Sequence, residues 1–360
     1  MKVVLVHDFL LYWGGAERVL AGLASLFPKA PLYTLFYSKP LVRIFFPHST
    51  IHTSFLQHSP LPHRFLLPLL PFVIEQFRFP KDTIILSSGI FAKGIITSPS
   101  TRHIHYCHTP PRFLWEESQL YIKERVPFGL RTMTRFAAHN LRLWDSVAAA
   151  RPDIMIANSQ WTAQKIKKIY GRDARVVYPF VRPTPVNQKR KQKNYLLIVS
   201  RLQRYKHIDL AIRACNELHL PLVIAGEGPD DARLQRIAGP TVQFLGFVPE
   251  ETLASLYHNA QGVILPGIED FGLVPIEAMG HGIGVLAYRK GGAQETIKEG
   301  ETGEFFDQLS VASLKKGIEK FISREYNKKT IMGRAEQFSF AHFKRKILAV
   351  IENAHRDVRP

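Results

Sequence analysis

The chain has 360 residues, 46% of them hydrophobic, two cysteines and a formal net charge of +18. That length exceeds what a single core usually fills, so two domains are expected; Cys107 and Cys215 sit in different halves without metal-ligand spacing, which argues against a disulfide framework and a zinc site. The excess of 48 Lys and Arg over 30 Asp and Glu favours an anionic partner such as nucleic acid, a phosphorylated metabolite or an acidic membrane surface.

The opening "KVVLVHDF" is a β-branched run that reaches His7 and Asp8 after four apolar residues. It reads as a strand rather than a signal peptide or membrane span, and a cytoplasmic location is expected. "WGGAERVLAGLASLF" follows, a glycine pair leading into helical spacing. No carboxylate then occurs from Arg18 to Ile74, and the first 180 residues hold 22 basic and 10 acidic side chains. Within this run lie "IFF" at Ile44 to Phe46 and "RFLLPLLPF" at Arg64 to Phe72. Pro68 and Pro71 forbid one long amphipathic helix there. Short segments with scattered cations fit a peripheral contact with an anionic membrane, while the plainer reading makes these apolar residues core.

Strand-like runs recur at "DTIILSS", "RHIHYCH", "DIMIANS" and "RVVYP", with helix-compatible segments between them. A proline-containing basic stretch, "RPTPVNQKRKQKNY", reads as a linker. The rhythm restarts with "YLLIVSRL", "PLVIAGEG", "VQFLGFV", "GVILPG" and "GVLAY", and the chain closes with helical spacing at Phe340, Phe343, Ile347, Val350 and Ile351. The expected fold class is α/β, with two Rossmann-like doubly wound domains facing a cleft. The expected boundaries are 1–182, a linker at 183–194, a second domain at 195–337 and a terminal helix at 338–360 that packs back toward the first domain.

The stretch "PGIEDFGLVPIEAMGHG" places Glu269 and Glu277 eight positions apart. On one continuous helix their side chains would diverge by about 80° and lie about 12 Å apart along the axis. Gly272 permits a bend, and Pro275 suits a helix's first turn, so Glu269 is expected in a loop and Glu277 in the first turn of a helix. The free N–H groups of such a start attract phosphate; the plainer reading has Glu277 merely complementing the helix dipole. "VSRLQRYKHID" sets Arg201 at a strand end and Lys206 five residues on, two cations suited to a diphosphate or simply to a solvated loop. In "HYCHTPPRFLWEE", His103, His105 and His108 gather without a carboxylate to complete a metal set, so metal is not expected. "WGGAE" and "AGEGPDD" lack the third glycine of a dinucleotide fingerprint, and no phosphate-binding G-x-x-x-x-G-K-[ST] occurs.

Taken together and in this order, the Gly-Gly turn, "VSRL" with its following Lys, "AGEGP", "FLGFVP", "LYHNA", "LPGIEDFGLVPIEAMGHGIGVLAY" and "GGAQETIKEGETG" resemble the retaining glycosyltransferases of the fourth sequence family, which share the two-domain fold termed GT-B. The resemblance implies that Glu269 contacts hydroxyls of the donor sugar and that Glu277 holds the nucleotide ribose. It puts the backbone of Phe271, Gly272 and Leu273 against sugar and phosphate, with Gly226 of "AGEGP" also at the nucleotide. It assigns Arg201 and Lys206 to the diphosphate, Gly14 and Gly15 to its approach, and His108 to the donor sugar. One departure is Pro266-Gly267, where the family often has Pro-Ser, and a small change in loop or phosphate contacts is expected there. "YCHTPPRFLWEE" and the first half look most like mannosyltransferases of surface polysaccharide assembly. The implied reaction moves a hexose, best matched by mannose from GDP-mannose, to a lipid-linked or glycan acceptor with no metal or other cofactor. Rival readings are a nucleotide-sugar epimerase of the same architecture, a glycogen-type synthase with a soluble acceptor, and a basic anionic-polymer-binding protein; no motif of a nucleic-acid module appears, so nucleic acid is not an expected partner.

Overall fold

In a computed structural model, residues 2–182, 184–186 and 194–356 are described, the side chains at 64, 355 and 356 excepted. Most of the expected linker, residue 183 and residues 187–193, lies outside them. By contacts the chain divides into two compact units, one made of Met1–Tyr178 with Phe343–Pro360 and the other of Pro179–His342.

The first unit is built on β1 (Lys2–Leu10), β2 (Leu32–Tyr37), β3 (Ile51–Thr53), β4 (Thr83–Ser88), β5 (Arg102–Cys107), β6 (Ile154–Ala157) and β7 (Arg175–Val176). All pairings are parallel, in the order β3-β2-β1-β4-β5-β6-β7. Strands β2 and β3 escape the sequence reading. "LYTLFY" mixes aromatic and polar residues without alternation, and β3 is three residues long with its side chains largely in solvent. Val4, Val6, Ile85, Leu70 and Ile74 form the core on one face of this sheet, joined by Phe91 and by Leu141 from the helix Arg131–Ala148. The terminal helix Phe340–Arg356 adds Phe343, Ile347, Val350 and Ile351 as buried residues, and Phe343 meets Tyr106 of β5 edge-on.

The second unit is built on β8 (Leu196–Val199), β9 (Leu222–Ala225), β10 (Val242–Gly246), β11 (Gly262–Leu265), β12 (Val285–Tyr288) and β13 (Gly303–Phe306), again parallel, in the order β10-β9-β8-β11-β12-β13. These strands are short and almost wholly apolar, as strands covered on both faces are. In each sheet the order reverses once, between β1 and β4 in the first and between β8 and β11 in the second. Such reversals leave a crevice at the carboxyl ends of the strands, where doubly wound sheets take their ligands.

Candidate active site

In the second unit the crevice is flanked by the segments that follow β8 and β11. After β8 the chain exposes Arg201, buries Leu202 and turns through a short helical segment, Arg204–Lys206. His207 adopts the left-handed conformation there and starts the helix Ile208–Leu218. After β11 come Gly267 and Glu269. The ammonium of Lys206 donates to the Glu269 carboxylate, so two residues 63 positions apart in the chain meet in the crevice. Arg201 has no ion-pair partner among the described residues and faces solvent at the end of β8.

The glycines explain why these segments approach so closely. A Cβ on Gly267 would stand 2.7 Å from the Lys206 Cα and 2.8 Å from its carbonyl oxygen, so the β11 loop rests on the backbone that carries Lys206. The departure from Pro-Ser thus has a steric counterpart, since a side chain at this position displaces the Lys206 segment. Gly226, with φ near 135°, would put a Cβ 1.9 Å from the Ser200 carbonyl oxygen, so packing of the β9 loop on the β8 loop accounts for it. Gly291 and Gly292, which the sequence reading cites only as part of a motif, support the glutamate loop. Gly292 donates its N–H to the Glu269 carbonyl at 2.9 Å, and a Cβ on Gly291 would meet that same oxygen at 2.3 Å.

Gly272, with φ 85° and ψ 105°, caps the helix Leu273–Gly280. Because that glycine makes the turn, the helix begins two residues before Pro275, and Glu277 falls in its second turn rather than its first. Phe271 is buried and packs near Phe338. Glu277 is only 9% exposed. Its Oε2 accepts from the Tyr257 hydroxyl at 2.8 Å, and Tyr257, on the helix Glu250–Asn259, stacks on His281 at 5.7 Å and 13°. Burial, with His258 and Lys328 nearby, holds His281 down to about 4. The sequence reading misses Tyr257, although its "LYHNA" is one of the motifs it names.

In the first unit, strand register sets His7 of β1 beside Ser88 of β4, and the His7 Nδ1 and Ser88 Oγ lie 2.8 Å apart. The helix Gly15–Leu26 starts after Gly14 and carries Glu17 in its first turn. Glu17 Oε1 lies 3.4 Å from His7 Nε2, and the carboxylate crowds Gly14, whose Cβ would come within 3.1 Å of Oε2. Burial acts to raise the Glu17 carboxyl, but hydrogen bonding and charge from His7, its own N–H and His108 prevail, and it is held below the usual range. Burial, reinforced by His7 and only partly offset by Glu17, holds His108 down to about 4. Its Nε2 is buried and has no hydrogen-bond partner among the described residues. Glu17 therefore joins the predicted Gly14, Gly15 and His108, and no spacing rule marks it because its partners come from β1 and from the chain after β5.

Two other polar groups here are structural. Asp8 accepts from the N–H groups of Ile90, Phe91 and Ala92, and Gly89, with φ 117°, would place a Cβ 2.5 Å from its carboxyl carbon. His103 and His105, the remaining members of the histidine group, both bond the buried Ser87 Oγ, at 2.6 and 2.8 Å.

Residues 184–337 match the family described as Glycosyl transferases group 1. The chain carries a group 1 glycosyltransferase domain. This domain takes in β8 to β13 with Arg201, Lys206, Gly226, Tyr257, Gly267, Glu269, Gly272 and Glu277, and the two parallel α/β units are those of the GT-B fold. The chain is 28% identical to the human alpha-1,3/1,6-mannosyltransferase ALG2 over 273 residues, 64% of this chain and 62% of that one. It is 29% identical over 194 residues to the GDP-mannose-dependent alpha-(1-6)-phosphatidylinositol monomannoside mannosyltransferase of Mycolicibacterium smegmatis, covering 45% of this chain and 51% of that one. Among solved structures, HepE of Anabaena in complex with UDP-glucose superposes with a TM-score of 0.70 over 98% of this chain and 100% of that one, at 19% identity.

Proposed function

We propose that the protein is a retaining glycosyltransferase that moves mannose from GDP-mannose to a lipid-linked or polysaccharide acceptor. The observation that carries this is the meeting of Lys206 and Glu269 at the β8/β11 reversal of a group 1 domain, with Arg201 and Glu277 on the segments that follow those two strands. Glu277, buried and held by Tyr257, binds the ribose; Glu269 binds hydroxyls of the sugar. Lys206 leaves Glu269 for the donor diphosphate, and with Arg201 and the N–H groups at the start of Leu273–Gly280 it stabilises charge on the departing nucleotide. Gly14, Gly15 and His108 of the first unit are proposed to bind the donor as well. The bond to the acceptor forms on the face the nucleotide leaves, which gives retention.

Similarity to two mannosyltransferases, one named for GDP-mannose and a phosphatidylinositol mannoside, supports donor and acceptor class. Incubation with a panel of nucleotide sugars tests the reading. GDP-mannose should be bound and turned over, and Lys206→Ala should lose nearly all activity; binding of no nucleotide sugar overturns it. We also propose that no divalent metal is required, since Arg201 and Lys206 are the cations proposed to neutralise the diphosphate. Activity should survive EDTA; loss that magnesium or manganese restores would refute this.

The acceptor is proposed to be reached at the cytoplasmic face of an anionic membrane. The run from Arg18 to Ile74 splits in the structure: Leu41, Phe46, Leu66, Leu70, Val73 and Ile74 are core, while Ile44, Phe55, Leu61, Phe65, Leu69 and Phe72 are exposed. Phe45 stacks on Trp13 at 3.6 Å. The core reading holds for the first set, and the exposed set, with Arg43 among it, suits a headgroup boundary. Among the described residues no helix is long and apolar enough to cross a membrane.

A further inference from the structure

The outer face of the helix Arg131–Ala148 takes no part in the site. Its inner face buries Ala138, Leu141, Asp145 and Ala148. Met133, Phe136, Leu143 and Val147 recur three, four or seven residues apart on the opposite side, and all are exposed, Phe136 by 70%. At 100° per residue these four fall within a stripe of about 80°. The turn before the helix adds two more exposed apolar side chains, Leu130 and Phe128, the latter 86% exposed. Monomeric surfaces seldom collect so many large apolar side chains on one helix face.

The surrounding charge is predominantly positive. From Ser118 to Val147 the chain carries Lys123, Arg125, Arg131, Arg135 and Arg142 against Glu124 and Asp145. Asp145 is buried and committed to the Lys93 ammonium, the Trp115 indole N–H and the Tyr170 hydroxyl, so it offers the outside no negative charge. Arg135 and His139 are exposed along one flank of the stripe. The same helix is tied to the exposed apolar edge at Phe72: the Trp144 indole N–H donates to Glu75 at 3.1 Å, directly after the helix Leu70–Ile74.

We propose that this helix lies flat in the interface of an anionic bilayer, with Phe128, Met133, Phe136, Leu143 and Val147 among the acyl chains and Arg135 at the lipid phosphates. The inference deepens the membrane reading above and rests on it. Charge favours the bilayer over a second copy, because a two-fold pairing through this face would set its cations against themselves. An anionic lipid surface supplies the complement to both the apolar stripe and its flank.

The test is co-sedimentation of the full chain with vesicles of phosphatidylcholine alone and of equimolar phosphatidylcholine and phosphatidylglycerol. Wild type should pellet with the anionic vesicles and be released by salt. The double variant Met133→Ser, Phe136→Ser and the single variant Arg135→Glu should each lower the bound fraction at least fivefold, with nucleotide-sugar affinity unchanged as the control for folding. A Thr132→Cys variant carrying an environment-sensitive dye should report an apolar surrounding only with anionic vesicles. If wild type pellets with neither vesicle, the membrane reading and this inference both fall. If wild type binds and the helix variants bind equally, while Phe65→Ser with Phe72→Ser loses binding, this face is overturned and the membrane reading stands. Sedimentation of free wild type as a dimer that the helix variants convert to monomer would assign the face to a second copy and overturn the inference.

Discussion

Glu269 and Glu277 look equivalent in the chain, yet their surroundings divide their work. Glu269 sits in an open loop against Lys206, whereas Glu277 is buried and takes a hydrogen bond from Tyr257. Glu277→Ala should therefore weaken nucleotide binding by about 1 to 3 kcal/mol, the range for a lost hydrogen bond to a charged group. Glu269→Ala should cut turnover more than nucleotide affinity. Tyr257→Phe removes only the hydroxyl that positions Glu277, so it should raise the donor KM about tenfold and leave kcat unchanged. Calorimetry with free nucleotide and steady-state kinetics decide the matter; wild-type affinity in both Glu277→Ala and Tyr257→Phe would remove Glu277 from the nucleotide.

At the scale of elements, the site depends on loops that touch backbone to backbone. Gly267 on the Lys206 segment, Gly226 on Ser200 and Gly291 on Glu269 are contacts in which hydrogen is the largest tolerated side chain. Gly267→Ala should push the Lys206 segment away at a cost of about 1 to 3 kcal/mol, typical of overpacking. The expected result is a lower melting temperature and weaker donor binding together. Unaltered values of both would mean that the two loops part freely. Sequence reasoning recognises such glycines as a motif and cannot tell which glycine meets ligand and which meets a neighbouring loop, because the partner of each is distant in the chain.

For the molecule as a whole, buried imidazoles link stability to pH. Burial, aided by Arg172 and Arg151, holds His103 down to about 3. Burial and the positive charge of Lys93, with His103, His108 and Arg172, hold His105 well below its usual value. Both rings stay neutral in the fold, while the unfolded chain takes up protons below about pH 6.5. Stability is therefore complete above that pH and is lost as pH falls toward the folded values, at about 1.4 kcal/mol per pH unit for each ring. Urea unfolding between pH 7 and 4.5 should show this decline, and His105→Gln should make it shallower. A slope that the substitution leaves unchanged would refute the assignment.

By itself the sequence determined the α/β class, the doubly wound character of both halves and the segments that carry Arg201, Lys206, Glu269 and Glu277. All of these are local signals: apolar runs of strand length, helical spacing, and glycine or proline where the backbone must turn. Only the tertiary structure decided the rest. It pairs Lys206 with Glu269 and Tyr257 with Glu277, brings Glu17 to His7, and separates Phe72 in solvent from Val73 in the core. These facts depend on strand order and on which side of an element faces a neighbour. Both arise from packing between residues far apart in the chain, for which no local pattern exists.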